Sequence, residues 1–559
     1  MTVLEPSGLE SGTVLDRDLV VVGSGPAGLT VARRFAGTGV RVLVLESGGR
    51  RPDRDADALN EVDNVGARRI EDQSVMRSRI LGGASFLWTG RCTAFDDIDF
   101  AARPWVPASG WPLRPADLTG SLEAARGVLG LGPNDYDDRL WRRLGMPAPT
   151  PQLDPDLLLP RFWQASQSPH DPSSPVRFGR NDIDPPGAGI ELLLHATVTQ
   201  VEVDEAGTAV TAVQVTLPDL RTLLVRAGTI VLACGGIENA RLLLASRDRF
   251  PAGLGNGHDL VGRYLMDHPG SVIGSFDPRH SDDVRSRFGR YRLGQAQYLH
   301  GLVLSPQVQE REELLNAAVF LEEYPAVDDP WHAGQRLAGR VRHRGRPVTA
   351  DTDLPAFDQA AFWRAINDDE PPEPTAAQDV ASLLRHPRTI AGGLLRMTRE
   401  HRPPLFRARR VDLYSLIEQR PDPDSRITLS EKRDAFGMPL SRIDWRLHDQ
   451  ERHTLSRLAE LVSDQFGRAG LSRPRIASWL GRDDWRDNLT DRAHPTGSTR
   501  MSSDPKSGVV DPDGQVHGIH GLYVTGSSVF PTAGHGNPTL MIVAMALRLG
   551  DHLRATRLR

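Results

Sequence analysis

The stretch Asp18-Leu-Val-Val-Val-Gly-Ser-Gly-Pro-Ala-Gly28 sets the fold class, together with the segments on either side of it. Asp18 to Gly23 is apolar on both faces and bounded by glycine, the pattern of a strand buried in a parallel sheet. Leu29 to Phe35 places apolar residues at helical spacing, and Gly37 and Gly39 close that helix. Arg41-Val-Leu-Val-Leu-Glu46 is a second buried strand ending in an acid. Together these make a βαβ unit of about 30 residues. Gly23 allows the tight turn, Gly25 lets the backbone approach a pyrophosphate, and Gly28 lets helix and strand pack closely. The helix N-terminus faces the anion. Glu46, 18 positions after Gly28, is placed to accept hydrogen bonds from ribose hydroxyls. The unit predicts a dinucleotide site. It does not separate FAD from NAD, although the carboxylate argues against NADP.

The rest of the chain limits what that site serves. With 559 residues it is far too long for one small binding module. Hydrophobic residues are 39% and charged residues 25% of the chain, an ordinary globular composition. Basic and acidic residues number 67 and 72, so nothing global favours a nucleic-acid backbone. Lys432 and Lys506 are the only lysines, which leaves little material for Schiff-base chemistry. Two cysteines, Cys92 and Cys234, exclude a disulfide scaffold and a Cys-rich metal centre, and no metal is expected. Cys234 lies in a buried strand and reads as a small core residue rather than a nucleophile. The N-terminal residues carry no secretory pattern, and the longest apolar run, Leu540 to Leu547, is far short of the ~18 residues of a membrane span. The expectation is a cytoplasmic protein with neither membrane nor nucleic-acid partner.

Further segments carry chemistry. Leu81-Gly82-Gly83-Ala84-Ser85-Phe86-Leu87-Trp88 permits close backbone approach to a flat or charged ligand. Leu192 to Val203 and Ala209 to Leu217 read as antiparallel strands, with Leu223 to Ala227 continuing them. Gly228 to Gly236 is a buried strand ending in two glycines, and Ile237 to Ser246 reads as a helix, a second nucleotide-facing edge. In the middle of the chain, Val411 to Gln419 and Arg426 to Ser430 read as strands and Asp449 to Phe466 as a helix; Asp368 to Pro374 reads as an exposed loop. The C-terminal part contains His494-Pro-Thr-Gly-Ser-Thr-Arg-Met501, Gly508-Val-Val-Asp511, Gly521 to Pro531 and Thr532-Ala-Gly-His-Gly-Asn-Pro-Thr-Leu-Met541, then an apolar helix.

In that order these motifs resemble the glucose–methanol–choline (GMC) oxidoreductases, a family of FAD enzymes, over roughly residues 17 to 555. The flavour is that of the pyranose-oxidase-like bacterial branch. The resemblance implies an α/β fold: a Rossmann-like FAD domain assembled from residues 17–95, 186–272 and 485–559, and an α+β substrate domain with a mainly antiparallel sheet from 96–185 and 273–484. It implies that Gly23, Gly25, Gly28 and Glu46 hold the ADP part, and that Gly82, Gly83, Ala84 and Ser85 approach the pyrophosphate or flavin. Val198, Gly235, Gly526, Asn537, Pro538 and Thr539 complete the expected cofactor contacts. His494 matches the family's catalytic histidine, and Asn537, 43 positions later, its partner. Gln419 corresponds to a strand that faces the sugar in pyranose oxidases. Asp267-His268-Pro269 resembles a family motif and reads as structural. Phe86 and Leu87 stand where some relatives tether FAD through histidine, so the FAD is expected to be non-covalent.

The chemistry agrees with those roles. Oxidising an alcohol removes a hydride from carbon to flavin N5 and a proton from oxygen. Neutral imidazole, with an unperturbed pKa near ~6.5, suits the proton. On that value the reaction should accelerate through neutrality as pH rises. The expected substrate is a CH–OH group of a sugar, glycoside or aminosugar-containing compound, with oxygen or another acceptor reoxidising the flavin. The alternatives are a GMC lyase without net redox, an oxidoreductase of a non-sugar alcohol, and an NAD dehydrogenase, which the GGAS and C-terminal motifs disfavour.

Overall fold

A computed structural model describes residues 2–145, 153–172, 174–179, 189–293, 296–343, 374–399, 402 and 404–558. The loop expected at 368–374 falls outside these residues except for Pro374.

Two sheets organise the chain. The first has six strands, all parallel, in the order Thr2–Leu4, Ile190–Leu193, Val42–Leu45, Leu19–Val22, Ile230–Leu232, Leu522–Val524. Its central strands, Leu19–Val22 and Val42–Leu45, are buried at every position. This is why their sequence runs apolar without alternation. Successive stretches of chain go to opposite sides of Leu19–Val22, so the crevice at its C-terminal end is a topological switch point, where open α/β sheets bind ligands. Thr2–Leu4 adds an edge strand from residues that precede both expected domains.

The second sheet is antiparallel and follows the path Arg475–Ile476, Gly270–Phe276, Ala408–Ile417, Ala317–Pro325, Ala296–Leu304, Leu158–Ala165, Arg91–Cys92. Two smaller sheets flank these. One joins Val14–Asp16, Thr222–Arg226, Val210–Thr216 and Thr197–Val203, and the other joins Arg426–Arg433, Pro439–Asp444 and Val62–Asn64. The fold is α/β, with one parallel and one mainly antiparallel large sheet.

The local chemistry explains the turns. Gly23 has φ +100°, a conformation that L side chains rarely adopt, and a Cβ there would fall 2.6 Å from the Ala233 carbonyl oxygen. A Cβ on Gly28 would fall 1.9 Å from the Gly23 carbonyl oxygen, so the helix Pro26–Arg33 can lie on its strand only with glycine at 28. The run Leu192 to Val203, expected as one strand, is divided. Ile190–Leu193 joins the parallel sheet and Thr197–Val203 the four-stranded one, with His195 between them at φ 53°. Both pieces are apolar enough to be strands, and the break comes from the two sheets that claim them.

One buried ion pair ties an early loop to the antiparallel sheet. Arg103 donates from Nη1 and Nη2 to the Glu418 carboxylate at 2.7 and 2.5 Å, and both side chains are almost fully enclosed. Removing one member of such a pair leaves an uncompensated buried charge, which typically costs about 3–5 kcal/mol. Arg103→Met is therefore expected to lose about 3–5 kcal/mol of stability in urea unfolding, and an Arg103→Met/Glu418→Gln double variant to recover part of it. A single variant as stable as the parent would show that the pair contributes nothing net.

Candidate active site

A cavity of about 380 Å³ opens at the switch point and runs to the antiparallel sheet. Three helices of eight residues or more begin at its wall: Pro26–Arg33 with Gly25 as N-cap, Gly235–Ala245 with Cys234 as N-cap, and Thr539–Thr556 with Pro538 as N-cap. Each presents unpaired N–H groups and the positive end of its dipole, a setting for a pyrophosphate. A Cβ at Gly25 meets no atom within 4 Å, so the space beside it is left for a ligand. Gly25 itself is extended, with φ −68° and ψ −175°, so its backbone does not demand glycine; ligand room does.

Glu46 lines the cavity at this end. Its Oε2 accepts from the Ser24 amide and hydroxyl at 3.0 and 2.6 Å, and its Oε1 from the Gly48 amide at 2.9 Å. A carboxylate has about four acceptor positions, which leaves one for a ribose hydroxyl. Burial pushes its pKa up, opposed by these same bonds. Alongside, Glu238 holds Arg77 and Arg79 at 2.9 Å each. Burial would raise the Glu238 pKa, but Arg241, Arg79 and Arg77 hold it down to about 2.

At the other end lie His494 and Asn537. The His494 Nε2 is 3.5 Å from Asn537 Nδ2, and the buried Asn537 Oδ1 has no partner. A buried carbonyl without a protein partner beside an imidazole leaves an acceptor open to a ligand or a water. The His494 backbone amide is anchored on Asp267, at 3.2 and 3.1 Å from its two carboxylate oxygens, and Ala493 before it takes φ 61°. Strain of this kind at a non-glycine residue persists only where the surroundings over-determine it. Burial, then His268 and Arg492, holds the His494 pKa well below the usual histidine range. Its ring is neutral at pH 7. Arg91, Phe320, Glu322, Tyr414 and Arg492 line the same cavity. The Arg91 guanidinium lies over the Phe320 ring and that of Arg492 over Tyr414.

The cavity thus brings together Gly23, Gly25, Glu46, Gly83, Ala84, Ser85, Val198, Gly235, Gly526, His494, Asn537, Pro538 and Thr539. It does not include Gly28 or Gly82, which shape backbone instead. The Gly82 amide is spent on the Ser24 hydroxyl, and a Cβ there would strike the Phe178 carbonyl. Gln419 is a correction. It has no exposed surface; its Oε1 accepts from the Asp267 amide and Trp445 Nε1 at 2.8 and 2.7 Å, and its Nε2 donates to the Arg446 carbonyl. Both its polar atoms are engaged inside the protein and it does not line the cavity, so it does not meet a sugar there. Cys234 is also corrected in place: it is half-buried on the cavity wall, with its thiol pushed up to about 12, chiefly by burial.

Sequence reasoning missed His268, whose ring contacts His494, and the side chains Arg91, Glu322, Tyr414 and Arg492. The Asp267-His268-Pro269 motif was the only signal for the first. The others come from strands or loops with no motif of their own.

Residues 421–546 match the family model described as GMC oxidoreductase. The C-terminal part of the chain is that of a GMC oxidoreductase. It is 26% identical over 365 residues to the fructose dehydrogenase large subunit of Gluconobacter japonicus, covering 65% of this chain and 54% of that one. It is 24% identical over 576 residues to paromamine 6'-oxidase of Streptomyces fradiae, covering 95% and 90%. Formate oxidase from Aspergillus oryzae RIB40, in a variant form, has the same fold over 98% of this chain and 99% of its own, with TM-score 0.57 at 18% identity. The cofactor is FAD, and the helix ends, the open space at Gly25 and the Asn537 Oδ1 without a protein partner fit it. Among the described residues no helix is long and apolar enough to cross a membrane, and no group of three or more His, Cys, Asp or Glu could hold a metal.

Gly25→Val is expected to fold normally yet lose its flavin, because extended backbone accepts valine while the side chain fills the ligand space. The flavin-to-protein absorbance ratio of the purified variant checks this, and full occupancy would remove the loop from the binding site.

Proposed function

We propose that this GMC oxidoreductase oxidises a CH–OH group of a sugar, glycoside or aminosugar-containing compound, with non-covalent FAD and with His494 as the general base. The observation that carries the reading is the convergence of the neutral His494 ring and the unsatisfied Asn537 amide in one cavity with the nucleotide cradle. Bound FAD supplies the hydride acceptor. The chain supplies the rest. His494 Nε2 accepts the hydroxyl proton, and Asn537, with Nδ2 3.5 Å from that nitrogen, orients the substrate oxygen with its amide. Non-covalent binding is supported by the cavity wall: His494 is its only histidine among the described residues, and the Cys234 thiol is held protonated. Flavin released into the supernatant on acid precipitation is the expected result; flavin that stays with the pellet overturns it.

The end near His494 carries two guanidinium groups, Arg91 and Arg492, and one carboxylate, Glu322, whose Oε2 already accepts from Tyr324. Their donors suit a hydroxyl-rich ring, and their net positive charge disfavours several ammonium groups at once. In an anaerobic flavin-bleaching screen, neutral sugars and glycosides should reduce the enzyme faster than polyamino sugars. Bleaching confined to polyamino sugars would reverse that order, and a flavin that no alcohol bleaches would overturn the reading.

Because the folded His494 pKa lies well below 6.5, the base is neutral from there upward. The rate of flavin reduction should be flat from about pH 6.5 to 8 and fall only at more acidic pH, where the imidazole is protonated. This replaces the rise through neutrality expected of an ordinary histidine. His494→Ala should retain flavin and reduce it about 10²–10⁴-fold more slowly, worth roughly 3–5 kcal/mol. Anaerobic stopped-flow across pH checks both, and a His494→Ala enzyme within a few-fold of wild type would place the base elsewhere.

A further inference from the structure

His268 lies 226 residues before His494 and has no exposed surface. The two rings meet edge to face, 5.1 Å between centroids, with their Nδ1 atoms 3.0 Å apart. Two ring nitrogens at that distance require one hydrogen between them. The other nitrogen of His268, Nε2, is 3.2 Å from the Ala533 carbonyl oxygen, which only accepts. A bare Nε2 there would set lone pair against lone pair, so Nε2 carries the hydrogen. In a neutral ring Nδ1 is then bare. The hydrogen between the rings therefore belongs to His494 Nδ1, and His494 Nε2 is left bare, facing Asn537.

We propose that His268 is a positioning residue that fixes His494 in the Nδ1–H tautomer and shares the proton that His494 receives from the alcohol. The proposal rests on the reading of His494 as base and extends it one ring deeper. The proton path balances. The alcohol O–H bond breaks as an N–H bond forms at His494 Nε2. The His494 Nδ1–H bond then breaks as an N–H bond forms at His268 Nδ1. His268 becomes the imidazolium, keeping its Nε2–H on Ala533, and His494 returns to neutral with its hydrogen on Nε2. The positive charge thus moves away from the cavity without any proton entering water.

The surroundings suit this transfer. Asp267 accepts from the backbone amides of His268, Arg492 and His494, and its charge acts on the His268 ring. It favours the charged form of His268, while His535 opposes it; Arg492 and His268 oppose charge on His494. His535 is engaged with Asp96 at 3.1 Å and is not on the cavity wall. Asn537 is neutral. Among the described residues, the carboxylate that acts on the pair is therefore on the His268 side of the relay.

The test is ¹⁵N NMR of the FAD-loaded protein labelled at histidine, with His494 and His268 assigned by comparison with His494→Gln and His268→Gln. Wild type should show His494 with Nδ1 protonated and Nε2 bare, in about tenfold excess or more over the other tautomer. His268→Met, which removes the acceptor, should bring the two forms towards parity. His268→Gln can accept from His494 Nδ1 and donate to Ala533, and should restore the excess. On acidification the two wild-type rings should move together with one midpoint. A wild-type His494 protonated at Nε2, or an unchanged tautomer in His268→Met, overturns the positioning role; two independent midpoints overturn the sharing. If His268→Met does not fold, the wild-type and His268→Gln spectra still decide both points. No turnover is required, so a failure of the oxidoreductase reading would appear separately, as a flavin that no alcohol reduces.

Discussion

The reactive end of the cavity hangs on one buried carboxylate. Asp267 has no exposed surface, and it receives the amides of His268, Arg492 and His494 at 2.8 to 3.2 Å. An unpaired buried carboxylate would be costly, so these donors are a condition of its burial as well as a use of it. Through them it joins the loop before His494 to the start of the strand Gly270–Phe276. Gln419 and Trp445 extend the arrangement into the sheet and the core, since Gln419 grips the Asp267 amide and is itself gripped by the indole. The imidazole is thus held by its backbone amide and by His268, which leaves its Nε2 for chemistry.

The opposite end uses backbone rather than side chains. Two helix N-termini, those of Pro26–Arg33 and Gly235–Ala245, meet at the crevice beside Leu19–Val22, and their N–H groups are aligned before any ligand arrives. Such fixed donors cost no reorganisation when an anion binds, and they leave the cationic side chains Arg77 and Arg79 to a separate structural task with Glu238. The glycines mark where this backbone has to come close: Gly23 against Ala233, and Gly28 against Gly23 itself.

Burial also sets the protonation of the histidines. His268, His494 and His535 are all held below the usual histidine range, with burial the largest cause in each. A buried imidazole kept neutral offers one donor and one acceptor, and each such ring here is committed to a defined neighbour. The same burial makes these rings sensitive to acid, because the unfolded chain takes up protons at pH values where the folded chain does not.

Sequence alone determined the nucleotide end. The βαβ unit is local: strand, glycine turn, helix and acid lie within one stretch of chain, and each is set by steric or periodic rules that act between near neighbours. The motif order also named His494 and Asn537 as a pair, although the chain separates them by 43 residues. What the tertiary structure decided was which side chains meet. Gln419 was expected to face a sugar because the resemblance gives a strand position but not what covers it in this chain; Trp445 and Asp267 cover it. Leu192 to Val203 looked like one strand because propensity does not say which sheet an apolar stretch will join. His268 looked structural because its contact with His494 spans 226 residues, and a hydrogen bond between two nitrogens depends on distances that no local pattern encodes. The sequence carried the chemistry of each group; the fold supplied the separations of about 3 Å that let one group act on another.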